Sequence, residues 1–230
     1  MVSDNLSEEE QIEAFKQWWV DNGLKLVAAA VIAIGGTLSW QGWQSSQQEY
    51  AEQGSAIYSA MIDIAKAETD QPLTDEQKQA INASADQLKQ EFTDTGYAHL
   101  SALLKAKLAV DADDLDSAAS ELQWVLDNDP AEDIKLLANL RLARVEAAKG
   151  NNDKALELLE GQEAGKLTSA YEEAKGDFHL SMGHLDAAYT SYQLAIDTEQ
   201  SGNSRQLSIL RLKLIQAKPV GEAEETQGES

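Results

Sequence analysis

A chain of 230 residues with a formal charge of −22 presents a surface that repels phosphate backbones and anionic lipid headgroups, which argues against nucleic-acid binding. It has no cysteine, which excludes a disulfide framework, a thiol nucleophile and a lipid-modified cysteine. Three prolines and 43% apolar residues, rich in Ala and Leu, favour an all-α chain over a β or mixed one.

Residues 1–23 read as a cytoplasmic N-terminal segment. Ser7 and Glu10 have the spacing of a capping box, and Ile12, Phe15 and Trp19 share one helical face, which suggests a short helix at a membrane interface. The next stretch, 24–43, reads LKLVAAAVIAIGGTLSWQGW and is uncharged after Lys25. About 20 helical residues rise ~30 Å, the thickness of a bilayer's hydrocarbon core. Trp18 and Trp19 precede it, Trp40 and Trp43 close it, and 21 helical steps put the two pairs roughly 32 Å apart. This is the pattern of a single membrane-spanning anchor. A buried core helix explains the tryptophans less well. A cleaved signal peptide conflicts with the long acidic stretch ahead of it. Within the span, Ala29, Ala33 and Gly36 make a row of small residues suited to close packing of a second membrane helix.

Orientation follows from lysine. Lys16 and Lys25 lie before the span, and no Lys or Arg follows it until Lys66. The N-terminus is therefore expected in the cytoplasm and the rest outside it. Two lysines and six acids fall in 1–43, so the remainder carries 16 basic and 34 acidic residues, a net of −18.

Residues 44–218 are expected to be helical throughout. The run after Trp43 continues as helix, with Ile57, Met61 and Ile64 as its apolar stripe, and stops at Gln71-Pro72. Thr74 and Gln77 form a second capping box, ahead of a helix with Ile81, Leu88 and Phe92 on one face. Three helical hairpins follow, at about 97–130, 136–159 and 169–197. Their turns lead into Ala118, Ala155 and Ala188, spaced 37 and 33 apart, close to the ~34-residue period of a tetratricopeptide repeat. Gly150 and Gly183 suit left-handed helix ends, and Asp116, Asp153 and Asp186 are placed to cap the second helices. Leu122, Leu159 and Tyr192 fall four residues beyond the aligned alanines. Pro130 matches the closing proline of that repeat, and Gly176 its small residue. The early tryptophan position is Ala102, Asn139 and Glu172 here. A helix at 205–216, with Leu207, Leu210 and Leu214 on one face, caps the stack, and 219–230 is an acidic tail expected to be disordered. The fold class is one transmembrane helix followed by a tetratricopeptide-repeat-like α-solenoid.

Chemistry is sparse. His179 and His184 are five apart, not the four that present two ligands on one helix face, and no cofactor or metal is implied. The acidic run at 111–116 lacks the glycine and the final carboxylate of a calcium loop. Partner binding is the better prospect. By repeat position the first helices direct Leu103, Leu140 and Glu173, then Lys107, Arg144 and Asp177, towards one surface. Lys107 and Arg144 are basic residues on an acidic body, suited to a partner's carboxylate or extended segment.

The segment EAFKQWWVDNG at 13–23, the span and the degenerate repeats together resemble the YfgM family, the ancillary subunits of the SecYEG translocon. The resemblance implies a non-enzymatic inner-membrane adaptor with a periplasmic repeat domain. It implies four kinds of partner: the translocon, the membrane-anchored periplasmic chaperone PpiD, exported polypeptides, and a cytoplasmic Rcs response regulator. The alternative is an anchored scaffold for envelope assembly or cell division with no secretory client. An enzyme using an unrecognised carboxylate pair, and the reversed topology, are the remaining readings.

Overall fold

A computed structural model describes residues 8–66, 72–199 and 202–218. The Ser7 cap, Gln71 and the acidic tail lie outside these. The chain divides into two units, one ending at Gln53 and the other beginning at Gly54.

The first unit is formed by α1 (Glu8–Lys66), whose last turns belong to the second. The interfacial helix expected before the span and the span itself are one helix. The reason is the lack of a breaker: the first proline is Pro72, and single glycines inside a helix weaken it by about 1 kcal/mol without ending it. The apolar stretch is not a protein core. Leu24 is 83% exposed and Ile32 75%, and among the described residues one helix is long and apolar enough to cross a membrane. Aromatic clusters mark both ends. Phe15 stacks on Trp18 and Trp19, at 6.2 and 6.3 Å, and the Trp40 and Trp43 rings lie 5.2 Å apart. That placement suits the two interfaces of a bilayer.

In the second unit, α2 (Asp75–Glu91) opens with the expected capping box: Thr74 Oγ1 accepts from the Gln77 amide and the Thr74 amide donates to Gln77 Oε1. Its buried Ile81 and Ala85 pack with Met61 from the end of α1. Three hairpins follow: α3 (Gly96–Asp111) with α4 (Leu115–Asp127), α5 (Glu132–Ala148) with α6 (Asn152–Leu159), and α7 (Thr168–Ser181) with α8 (Leu185–Asp197). A 3-10 turn, Gly165–Leu167, leads into α7, and α9 (Ser204–Gln216) closes the series. From α2 onward each helix packs on its neighbours in sequence, and α5 also touches α3 and α7. That is the nearest-neighbour connectivity of a solenoid.

The repeat rests on small residues where helices approach. Ala118, Ala155 and Ala188 are fully buried, as are Leu122, Leu159 and Tyr192 one turn on. One core lies among α3, α4 and α5, the next among α5, α6 and α7, so α5 serves both. His99 Nε2 donates to the Asn128 carbonyl at 2.8 Å, tying α3 to the end of α4. The Tyr171 hydroxyl donates to the Leu136 carbonyl at 2.7 Å, tying α7 to α5, and burial pushes its pKa up to about 12.

The three hairpin turns share one device. Asp113, Gly150 and Gly183 have φ of 60°, 88° and 77°. Their amides bond back to Val110, Ala147 and Leu180, while the next residues, Asp114, Asn151 and His184, bond back to Ala109, Glu146 and His179. This paired pattern is a Schellman end. It corrects the expected caps. The residue that closes the first helix also opens the second, so Asp114, Asn151 and His184 are the N-caps. Asp116, Asp153 and Asp186 instead sit inside the first turn, where a carboxylate complements the helix dipole.

Candidate partner-binding site

A groove of about 390 Å³ opens between the first two hairpins. Its apolar lining includes Val110 from α3, Leu115 and Leu122 from α4, and Val145 from α5. Three cations stand in the same lining: Lys107, Arg141 and Arg144. The helix period explains the grouping. Arg141 and Arg144 are three apart on α5, hence on one face, and α5 lies against α3.

The electrostatics of the groove are unbalanced. Lys107 is answered by Asp111 one turn along α3, at 2.5 Å. Arg141 and Arg144 make no ion pair among the described residues. Arg141 is half-buried, and its pKa is pushed below the usual value, first by burial and then by the neighbouring Arg144 charge. A guanidinium stays charged despite such a shift. The α5 side of the groove therefore holds two adjacent cations without counter-charge, beside an apolar floor. A carboxylate on an incoming chain would relieve both the repulsion and the desolvation.

The expected site residues divide. The structure brings Lys107 and Arg144 together in this groove. Leu103 and Leu140 instead lie in the two cores, each 3% exposed, because at those positions α3 and α5 face their own hairpin partners. Glu173 and Asp177 are claimed from within the chain: Lys213 of α9 reaches both, at 2.8 Å. Arg141 was missed because repeat position singled out the phase of Lys107 and Arg144. The signal that would have found it is the i, i+3 pairing with Arg144. In α1, Ala29, Ala33 and Gly36 remain on an open face. The His179 and His184 rings lie 6.0 Å apart. Among the described residues, no group of three His, Cys, Asp or Glu side chains could hold a metal ion.

Comparison with known proteins rests on nearly the whole chain. A family model described as a tetratricopeptide repeat-like domain matches residues 16–217. A relative from Aggregatibacter actinomycetemcomitans, named an ancillary SecYEG translocon subunit, is 30% identical over 91% of this chain and 97% of its own length. The chain belongs to this tetratricopeptide repeat-like family of ancillary SecYEG translocon subunits. Family members of the same name from Haemophilus influenzae and Escherichia coli are similar to it at 28% and 26% identity. They cover 91% and 84% of this chain, and 97% and 89% of their own lengths. No solved structure matches. The family and the one apolar N-terminal helix together fit a single-pass inner-membrane protein.

Proposed function

We propose that this chain is a non-enzymatic adaptor anchored beside the SecYEG translocon, with its repeat domain on the periplasmic side. The observation that carries the reading is the groove, where an apolar floor meets two arginines that make no ion pair among the described residues, on a strongly acidic body. Apolar contact with charge selection suits short extended segments of other chains. The relatives' name supports the translocon as the neighbour. In this proposal, exported polypeptides and a membrane-anchored periplasmic chaperone such as PpiD use the groove in turn, and the adaptor passes one to the other. The open Ala29, Ala33, Gly36 face meets a neighbouring membrane helix. The cytoplasmic N-terminus is left available to an Rcs response regulator.

A photo-crosslinking side chain at Val110 tests the groove in living cells. Adducts with an exported chain or a periplasmic chaperone are expected. Arg141→Glu together with Arg144→Glu is expected to weaken them about ten-fold or more, since two attractive charges become repulsive and one of them, at position 141, is half-buried. Adducts that persist unchanged in the double variant would contradict the assignment. Protease added to spheroplasts is expected to digest residues 44–230, and their survival would reverse the topology.

A further inference from the structure

The helix that ends the stack is not built as a solubilising cap. A terminal helix of a solenoid normally turns a polar face outward. Here α9 buries Leu210 and turns Lys213 inward to Glu173 and Asp177. Outward it exposes Leu212 at 67%, Ile215 at 69% and Ile209 at 39%. Arg205 and Arg211, both exposed, flank these residues on the same side, and Lys218 follows the last turn. None of these three cations makes an ion pair among the described residues.

The local charge is the opposite of the chain's. Residues 204–218 contain four of the 18 basic residues and none of the 40 acidic ones. An exposed apolar ridge bordered by arginines is the chemistry of a helix lying in a membrane interface: alkyl groups enter the headgroup layer while guanidinium groups bind phosphate. We propose that the outer face of α9 docks the repeat domain on anionic phospholipid, in the membrane that its own N-terminal span occupies.

Three observations favour lipid over a protein occupant. The face is a ridge, which enters a fluid layer without needing a shaped partner. Its free charge is of one sign, suited to a diffuse field of phosphates. The same chain carries a candidate membrane span, so a bilayer is tethered within reach at high effective concentration. Acidic residues farther than about 8 Å from this face oppose docking only weakly, because they are screened at physiological ionic strength, whereas the four glutamates of 219–230 follow directly on Lys218 and work against it.

The chain lacks cysteine, so Leu212→Cys gives a single labelling site. The full chain, labelled there with a polarity-sensitive fluorophore, is reconstituted in nanodiscs of pure phosphatidylcholine or with about one third phosphatidylglycerol. A label at Gln123→Cys serves as the control. The expected result is a blue-shifted, quencher-protected signal at 212 in anionic discs only, reversed by high salt. Arg205→Glu with Arg211→Glu should lower the docked-to-undocked ratio by about 25-fold or more, from about five-fold per cation. Equal exposure in both discs would overturn the proposal. Equal protection in both would overturn it too, because the burial would then not depend on anionic headgroups. Circular dichroism of the variants excludes loss of fold as the cause.

Discussion

Truncating Tyr192 to alanine is expected to cost the repeat domain about 3–5 kcal/mol, read as a fall in its melting temperature. The side chain is fully buried between α7, α8 and α9, and its hydroxyl donates to Asp177 at 2.8 Å. Its ring crowds Gly176, where a Cβ would meet Cε1 at 2.5 Å and Cδ1 at 2.6 Å. That contact predicts a change of sign. In the wild-type background Gly176→Ala adds a methyl where none fits, costing about 1–3 kcal/mol and outweighing the gain of about 1 kcal/mol from alanine's helix propensity. In the Tyr192→Ala background the clash is gone and the same substitution should stabilise by about 1 kcal/mol. Equal destabilisation in both backgrounds would show that ring and glycine do not share this space. Ala106 and Ala143, the corresponding residues of the first two hairpins, share their cores with the smaller Leu122 and Leu159. A large ring at the last position goes with the smallest residue opposite it.

Replacing Lys213 by methionine is expected to cost about 2–3 kcal/mol. Loss of one partner from a buried ion pair typically costs 3–5 kcal/mol, and the partial exposure of Lys213, 27%, places this case lower. The amine serves Glu173 and both oxygens of Asp177, all at 2.8 Å, so its removal leaves two carboxylates facing each other. Burial alone would lower the lysine pKa, but the hydrogen bonds and charges of Asp177 and Glu173 outweigh it and raise the value above 10.5. A raised folded pKa means that the charged form is held more tightly in the native state. Its stabilisation is complete below about 10.5 and is lost as pH climbs through the folded value. The difference in melting temperature between wild type and Lys213→Met should therefore be constant at neutral pH and narrow above pH 10.5. A gap that does not narrow would mean that the ion network is not what secures α9.

The features read from the sequence are those that act along the chain. The span declares itself by an uninterrupted apolar run, and the repeats by alanines that must be small wherever two helices meet. Gly150 and Gly183 announce left-handed ends because other residues rarely adopt them. The features missed depend on which surface covers which. The N-caps moved two residues because each Schellman end also begins the next helix. Leu103 and Leu140 fit the repeat's outward phase, yet their hairpins bury them. Glu173 and Asp177 look like free surface acids until Lys213, more than 35 residues away, takes both. The α9 stripe of Leu207, Leu210 and Leu214 correctly marks the inner face, but periodicity does not warn that Ile209, Leu212 and Ile215 are left outside.

Co-purification from membranes tests the adaptor reading most directly. The full-length chain, and a form beginning at Ser45 that lacks the span, are each extracted in mild detergent and their partners identified. Translocon subunits are expected to accompany the full-length chain, and a periplasmic chaperone to follow the repeats in either form. If neither form retains a secretion component, the adaptor role is contradicted, and an anchored envelope scaffold becomes the reading that fits.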